Sequence, residues 1–176
     1  LITPQRHGDD RGWFQEWFKH SELLEKTGYD FVPLQANISH SAKGTIRGVH
    51  YSTAQIGQAK LVTVLQGETD DYVIDVRPSS PTYGKWERIR LTADNGCSVL
   101  LSAHLGHAFH ALVENTVVNY LVTAEYNPVA EHGITPLCPH LAIDWADTGR
   151  YLIAPKDEQA PNLHAQLDAG LLPSLL

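Results

Sequence analysis

The chain has 176 residues, a formal net charge of −7 at pH 7 and an isoelectric point near 5.7. A chain of this length forms a single domain whose core needs no disulfide support. Its acidic balance, without any run of Lys or Arg, argues against general binding to nucleic acids or anionic membranes. Its apolar stretches are shorter than the roughly 20 residues of a membrane span, so we expect a soluble protein.

Cysteine use indicates the compartment. Cys97 and Cys138 lie far apart and form no metal-binding or redox motif. This pattern is typical of a reducing environment, so we expect a cytoplasmic protein. Nothing in the opening LITPQRHGDD resembles a signal peptide. Because the sequence begins at Leu1 rather than Met, we expect further residues to precede it.

In chain order, the first predicted element is a short amphipathic helix over 21–28, SELLEKTG. Ser21 is its possible N-cap, and Gly28 ends it. A second helix is predicted near the other end, over 161–170, PNLHAQLDAG. Pro161 lies near its start and Gly170 closes it. Helical patterns are therefore confined to the two ends of the chain.

Between 31 and 124, short apolar or alternating runs are separated by turn residues, and each run predicts a strand. The runs are FVPLQANIS, KLVTVLQ, DYVIDVR, WERIRLT, CSVLLSA, HAFHALV and VVNYLVTA. Many short strands at regular spacing are typical of a barrel or sandwich. With no repeat, linker or low-complexity tract, the sequence predicts one mainly β domain over 1–176 with short peripheral helices near both ends.

Ten histidines in a candidate β-barrel raise the question of a metal site. His104, His107 and His110 are spaced by three, so on a strand His107 faces away from the other two. They can share one ion only if a bulge intervenes. The residues after His50 contain no second His or Glu at the short spacing of a metal-binding barrel. We therefore expect no metal.

The segment RGVHYSTAQIGQAK contains the first candidate site. Without a metal, His50 is interpreted as a proton-transfer group, because imidazole titrates near neutrality. The alternative is a histidine bonded to a backbone group. Alternation in KLVTV places Lys60 on the same face as Val62 and Val64. A lysine facing inward needs a partner, and an anionic ligand would supply one.

Tyr120 and Asp157 are weaker candidates from the sequence alone. Tyr120 shares a face with Val118 and Val122, so its ring should be buried and its hydroxyl should need a partner. A backbone bond would satisfy it equally well. Asp157, in APKDEQAP, would by itself be an ordinary solvated acid.

Several blocks occur together in order, over about residues 9 to 163. They are DDRGWFQEWF, QANISHSAKGTIRGVHY, GQAKLVTVLQG, VIDVRPSSPTYGKW, GHAF, EYNPVAEHGI, LAIDW and PKDEQAP. In these blocks the chain resembles the dTDP-4-dehydrorhamnose 3,5-epimerase family. That family comprises metal-free cupins with a jelly-roll barrel that epimerise dTDP-4-keto-6-deoxyhexoses. The resemblance implies the same fold and reaction here, a dTDP-sugar substrate and no cofactor.

The resemblance also implies roles for individual residues. His50 matches the general base, Asp157 the aspartate paired with it, Lys60 the lysine beside the keto oxygen and Tyr120 the opposing acid. The implied residues for the nucleotide diphosphate and sugar are Arg11, Glu16, Gln35, Asn37, Arg47, His107 and, stacking near them, Tyr126. In this family the segment around Arg11 and Glu16 comes from the partner subunit, which implies a homodimer.

A strict two-residue period would place Arg47 and His50 on opposite faces. Both can reach one pocket only if the strand is bulged, and Gly48 is the plausible site.

The chain departs from the commonest family pattern at Ser102, His104, Cys138 and His140. GHAF and the tail AQLDAGLLP resemble members that make unusual sugars, some of which epimerise C3 alone. Epimerisation at both C3 and C5 is our first interpretation. A C3-only epimerase, a nucleotide-sugar ketoisomerase, a non-catalytic binding module and a metal-dependent cupin oxygenase are the alternatives.

Overall fold

The structure, a computed structural model, describes residues 1–174. It contains a two-stranded hairpin and two larger β-sheets. The strands are β1 Arg6–Asp9, β2 Gly12–Gln15, β3 Gln35–Ser41, β4 Thr45–Ser52, β5 Lys60–Gln66, β6 Glu68–Ile74, β7 Trp86–Thr92, β8 Ser98–Leu101, β9 Gly106–Ala111, β10 Thr116–Val122, β11 Glu131–Gly133 and β12 Leu152–Ile153. Three short helices complete the fold: α1 His20–Thr27, α2 Pro155–Glu158 and α3 Leu163–Asp168.

The two larger sheets pack face to face as a jelly-roll barrel of the cupin type. One has the strand order β3-β10-β5-β8, and the other has the order β11-β4-β9-β6-β7, with β12 added parallel to β4. All other pairings between named strands are antiparallel. Antiparallel sheets with one face buried follow from the alternating sequence runs.

Apolar side chains from both sheets fill the space between them, among them Val62, Val99, Phe109 and Val118. The outer face of the six-stranded sheet is covered by the segment after β11, including Trp145. Helix α1 covers part of the outer face of the four-stranded sheet. None of the helices in residues 1–174 combines the length and apolar character that a membrane crossing requires.

All seven predicted strands are confirmed: β5 and β7 have the predicted bounds, and the other five have shifted ends. The strand predicted over 71–77 begins three residues earlier, at Glu68, because Asp70 is buried and paired with Arg90 rather than lying in a turn. The sequence pattern did not predict β1, β2, β4, β11, β12 or α2. These elements are short, or their residues do not alternate cleanly.

Both predicted helices are also confirmed, although α1 starts one residue earlier than predicted and α3, Leu163–Asp168, is shorter than the predicted 161–170. Helix α1 begins at His20, and its N-cap is Lys19 rather than Ser21. Gly28 closes it with φ 69°, a conformation that glycine adopts without strain. Helix α3 is capped by the side chain of Asn162, which accepts a hydrogen bond from the Ala165 N–H.

Candidate active site

The central feature is a hydrogen-bonded pair formed by His50 and Asp157. His50 Nε2 lies 2.8 Å from Asp157 Oδ1, and the Gly48 N–H donates to Asp157 Oδ2 at 3.2 Å. Asp157 lies on α2. Pro155 is the first residue of this helix, and its fixed φ angle suits that position. Asp157 is buried, while the His50 side chain is 40% exposed toward a cavity. One imidazole nitrogen is thereby fixed and the other remains free.

Electrostatics keep Asp157 ionised. Burial alone would raise the pKa of this carboxyl. The hydrogen bond and charge of His50, the Gly48 N–H and Lys156 outweigh burial, so the pKa lies below its ordinary value. An ionised carboxylate stabilises an imidazolium and fixes the ring orientation, as a proton-accepting histidine requires.

The bulge predicted in β4 is present. The register between β4 and β9 shifts between Arg47 and His50, so that Arg47 lies opposite Phe109 and His50 opposite His107. Gly48 has φ 115°, and an added Cβ would lie 2.5 Å from the His107 carbonyl oxygen. Arg47 and His50 therefore share the interior face, as predicted. The Arg47 guanidinium donates to Ser41 Oγ and to the His40 carbonyl.

Lys60 lies on the opposite sheet, at the start of β5, and only 8% of it is exposed. Among residues 1–174, no carboxylate oxygen lies within 4.0 Å of its ammonium nitrogen. Burial lowers the pKa of Lys60, while Glu131 and Asp71 oppose that shift. The inward orientation predicted from the alternation is confirmed, and its charge has no close protein partner.

Tyr120 faces the same interior from β10, between Asn37 on one side and Val62 on the other. Burial raises the pKa of its hydroxyl; Arg47 opposes this rise and Glu131 adds to it. The phenol is thus protonated at neutral pH and suited to donating a proton.

Polar residues on β3 extend the same wall. Gln35 and Asn37 alternate inward with Ser39, and Gln35 Nε2 donates to Asn37 Oδ1 at 2.7 Å. The Gln35 side-chain oxygen also accepts from the Tyr126 N–H at 2.9 Å. Tyr126 itself is 60% exposed at the rim of the cavity.

A second histidine–carboxylate pair, which sequence reasoning missed in part, lies inside the barrel. His107 was a candidate, but its partner Asp71 was not. His107 Nε2 lies 2.8 Å from Asp71 Oδ2, and both residues are buried. Asp71 shares a strand face with Val73, so the available signal was a carboxylate in an inward position of a predicted strand.

The proposed chemical groups line one cavity of about 620 Å³, which contains His50, Lys60, Tyr120 and Asp157. Tyr126 and Glu131 also line it; Glu131 was missed because nothing in its local sequence pattern marks it. A second cavity of about 700 Å³ includes Arg47 and shares His50 and Asp157 with the first. Together they provide room on the scale of a nucleotide sugar.

Arg11 and Glu16 are not brought to this site by their own chain. Arg11 is exposed in the turn between β1 and β2, where its guanidinium pairs with Asp9. Glu16 follows β2 and lines a separate cavity of about 300 Å³ beside α1.

The four departures from the family pattern lie outside the lining of both large cavities. Ser102 and His104 are in the β8–β9 connection, where His104 packs against Gly57. His140 is exposed, with its ring centroid 3.6 Å from that of His164. Cys138 is buried and accepts a hydrogen bond from the Leu163 N–H.

The three closely spaced histidines point to different surroundings. His107 faces the barrel interior, whereas His110 lies on the other face of β9 and contacts Trp145. His104 precedes the strand, so the predicted common face for His104 and His110 is wrong. Within residues 1–174, no three or more His, Cys, Asp or Glu side chains are grouped so as to hold a metal ion.

This arrangement combines a carboxylate-oriented imidazole, a buried cation and a protonated phenol around one cavity. Such a set suits removal of a proton from a carbon next to a carbonyl group, with the cation beside the developing oxyanion. The fold and the site thus define a cupin of the sugar-isomerising class.

Comparison with known proteins identifies the family. The family model of dTDP-4-dehydrorhamnose 3,5-epimerase matches residues 1–165, and the chain belongs to this family. It is 43% identical over 173 residues to a dTDP-4-dehydrorhamnose 3-epimerase of Streptomyces niveus, covering 98% of this chain and 83% of the relative. It is 40% identical to a dTDP-4-dehydrorhamnose 3,5-epimerase of Mycolicibacterium smegmatis, covering 98% and 85%.

The fold is likewise similar to that of ChmJ, a 3'-monoepimerase from Streptomyces bikiniensis solved in complex with dTDP-quinovose. The TM-score is 0.93 at 39% identity, covering 97% of this chain and 86% of ChmJ. The expected family and the jelly-roll fold are therefore confirmed, and the chain is an isomerase of the epimerase type.

Proposed function

We propose that this enzyme epimerises a dTDP-4-keto-6-deoxyhexose at C3 and C5. The observation that carries the proposal is the placement of His50 and Tyr120 on opposite sheets around one cavity. Lys60 lines the same cavity. Inversion requires a proton to leave one face of the sugar and return to the other. A base and an acid on opposing walls meet that requirement.

The energetics explain why a cation is needed. A hydrogen α to the C4 ketone is on the order of twelve pKa units less acidic than imidazolium, which is roughly 16 kcal/mol uphill. Lys60 would stabilise the enolate oxygen, and one preorganised donor is worth about 3 to 4 kcal/mol. His50 takes the proton, Asp157 stabilises the resulting imidazolium, and Tyr120 returns a proton from the other wall. The reaction is redox-neutral, so the proposal involves no cofactor.

The remaining polar groups would hold the nucleotide sugar. Arg47 and His107 supply positively charged or donating groups near the base, and Gln35 and Asn37 offer amides on the facing wall. Tyr126, at the rim, would stack near the ligand. The dTDP-quinovose bound to ChmJ supports a nucleotide-sugar ligand of this class.

We further propose a homodimer in which each site is completed by Arg11 and Glu16 of the other subunit. Both residues are exposed and lie away from the cavity of their own chain. Exposed apolar side chains on the hairpin and the outer sheet face, Trp13, Phe14, Ile38 and Leu65, would be covered by a second copy. Light scattering would give the mass of the assembly. Mixing inactive Arg11→Ala and His50→Ala chains should restore activity if sites are shared.

We place the enzyme in the cytoplasm, because Cys97 and Cys138 are both free. This location matches that of a soluble nucleotide-sugar substrate.

The test is proton NMR of dTDP-4-keto-6-deoxyglucose incubated with the protein in deuterated water. Loss of signal at both H3 and H5 supports the proposal, and loss at H3 alone identifies a C3 epimerase. A product whose keto group has moved to C3 would identify a ketoisomerase. Consumption of oxygen after addition of a metal ion would identify an oxygenase. Binding of the sugar nucleotide without proton exchange would identify a binding module.

The matched variants are His50→Ala, which should abolish exchange, and His20→Ala, a surface histidine paired with Asp30, which should not. Circular dichroism should show both variants folded. An active His50→Ala protein would contradict the mechanism.

A further inference from the structure

Glu131 is an acidic side chain in a cavity proposed to bind an anionic ligand. It lies on β11, which pairs with β4 so that Glu131 is opposite Ser52 and Gly133 is opposite His50. It lines the cavity together with His50, Lys60 and Tyr120. A carboxylate here repels the diphosphate of the substrate, and so ligand binding alone does not explain its position.

The surroundings of Lys60 suggest another reason. The titratable groups that line the cavity with Lys60 are His50 from β4, Tyr120 from β10, Tyr126 beyond it, Glu131 and His132 from β11, and Lys156 and Asp157 from α2. Asp71 from β6 and His107 from β9 lie in the barrel interior beside them. The carboxylates that favour the ammonium form of Lys60 are Glu131 and Asp71, whereas Asp157 is bonded to His50. Asp71 already bonds to His107 at 2.8 Å. Among residues 1–174, no hydrogen bond or ion pair engages the Glu131 carboxylate.

Glu131 in turn depends on basic groups for its ionised form. Burial raises the pKa of its carboxyl, whereas Lys60, His50, His132 and Lys156 favour its ionised form. Of these four residues, Lys60 has the largest effect on the pKa of Glu131. Lys60 and Glu131 therefore favour each other's charged states.

We propose, on the basis of the proposed function, that Glu131 is a positioning residue that keeps Lys60 a cation until the substrate oxyanion forms beside it. A neutral lysine could not stabilise an enolate. A carboxylate in direct contact would occupy the ammonium and compete with the substrate oxygen. Glu131 avoids both problems, because it lines the same cavity without an ion pair to Lys60 within 4.0 Å.

The first test is the pH dependence of kcat for the wild type and for Glu131→Gln, which keeps the shape and removes the charge. Because Lys60 would lose its proton at lower pH, the alkaline limb of kcat should move to lower pH. On the alkaline side, activity should be several-fold lower than that of the wild type at the same pH. Glu131→Asp should restore much of the limb. Glu125→Gln, which removes an exposed charge after β10, should leave the limb unchanged.

The second test does not depend on activity, and it separates Lys60 from Tyr120, whose hydroxyl Glu131 also influences. Acetic anhydride labels only neutral amines, so the labelling of Lys60 against pH, followed by peptide mass spectrometry, reports its titration. In Glu131→Gln, Lys60 should become reactive at lower pH, while the exposed Lys43 should titrate as in the wild type.

Unchanged Lys60 labelling in Glu131→Gln would overturn the inference, and so would an unchanged alkaline limb. If the wild type showed no exchange of the sugar protons, the proposed function would fail, while the labelling would still report the coupling of Glu131 to Lys60.

Discussion

Replacing Lys60 with Met should separate activity from stability. The substitution removes the ammonium and keeps an unbranched side chain of similar length. Lys60 is 8% exposed, and it lies opposite Leu101 on β8 and opposite Val122 on β10. Methionine fits such apolar surroundings, so the barrel should remain folded.

The expected loss of activity follows from the role of the ammonium group. A preorganised donor beside the enolate oxygen contributes about 3 to 4 kcal/mol, so its removal should lower kcat by roughly 10²- to 10³-fold. KM should change far less, because the group acts mainly on charge that develops in the transition state. Deuterium exchange at C3, followed by NMR, would give both constants.

The expected effect on stability has the opposite sign. Burial lowers the pKa of Lys60, so its ammonium form is less favourable in the folded protein than in the unfolded chain, and an apolar side chain removes that cost. For a chain of this size, each kcal/mol raises Tm by about 2 to 4 °C. Differential scanning calorimetry should therefore show Lys60→Met melting above the wild type, with exposed Lys43→Met unchanged in both activity and Tm.

A Lys60→Met enzyme within tenfold of wild-type kcat would refute the assignment of Lys60 to the oxyanion. A Tm several degrees below that of the wild type would show instead that the ammonium is satisfied in the folded protein and that Lys60 has a structural role.

Three further changes test the rest of the site and the fold. Tyr120→Phe should lower the yield of inverted sugar at least tenfold, because the proton donor is lost. Deuterium exchange initiated by His50 should remain measurable, and NMR of the product distinguishes exchange from inversion. Asp157→Asn should lower kcat by about 10³- to 10⁴-fold, because the amide neither fixes the required tautomer nor stabilises imidazolium, and steady-state kinetics will measure it. His110→Phe should reduce the loss of folding stability in acid. Burial holds the pKa of His110 below its ordinary value of 6.5, although the nearby Asp70 opposes this shift. As the pH drops below about 6.5, the unfolded state therefore gains a proton before the folded state does, and wild-type stability falls. If this reasoning is wrong, the Tm difference between the wild type and His110→Phe will stay constant between about pH 5 and pH 7.

The strand pattern was predictable because most core strands present apolar residues at every second position. Lys60 and Tyr120 could be oriented on that basis, and the structure places both inward. The assembly of the site, however, depends on a contact between residues more than 100 positions apart in the chain, His50 and Asp157. No local pattern encodes such a contact, and only the family resemblance linked the two residues.

Asp71 and Glu131 show the other limit of the sequence. The sequence predicted Asp70 in a turn and Asp71 at the start of a strand, yet both are fully paired strand residues inside the sheet. Their burial is tolerated because Arg90 pairs with Asp70 and His107 hydrogen-bonds to Asp71, each from a neighbouring strand. Partner strands, rather than neighbouring residues in the chain, determine whether a carboxylate can be buried.

The barrel also explains why an inverting reaction suits this fold. The bulge at Gly48 turns both Arg47 and His50 inward on one sheet, while Lys60 and Tyr120 come from the other. In the proposed mechanism, a sugar ring held between the two packed sheets would present one face to each, so the base and the acid would reach it from opposite sides. Because the C4 oxygen lies at the edge of the ring, one cation can serve proton removal at either neighbouring carbon. Whether C5 reacts as well as C3 then depends on how the ring can reorient in the cavity, rather than on a second set of catalytic groups.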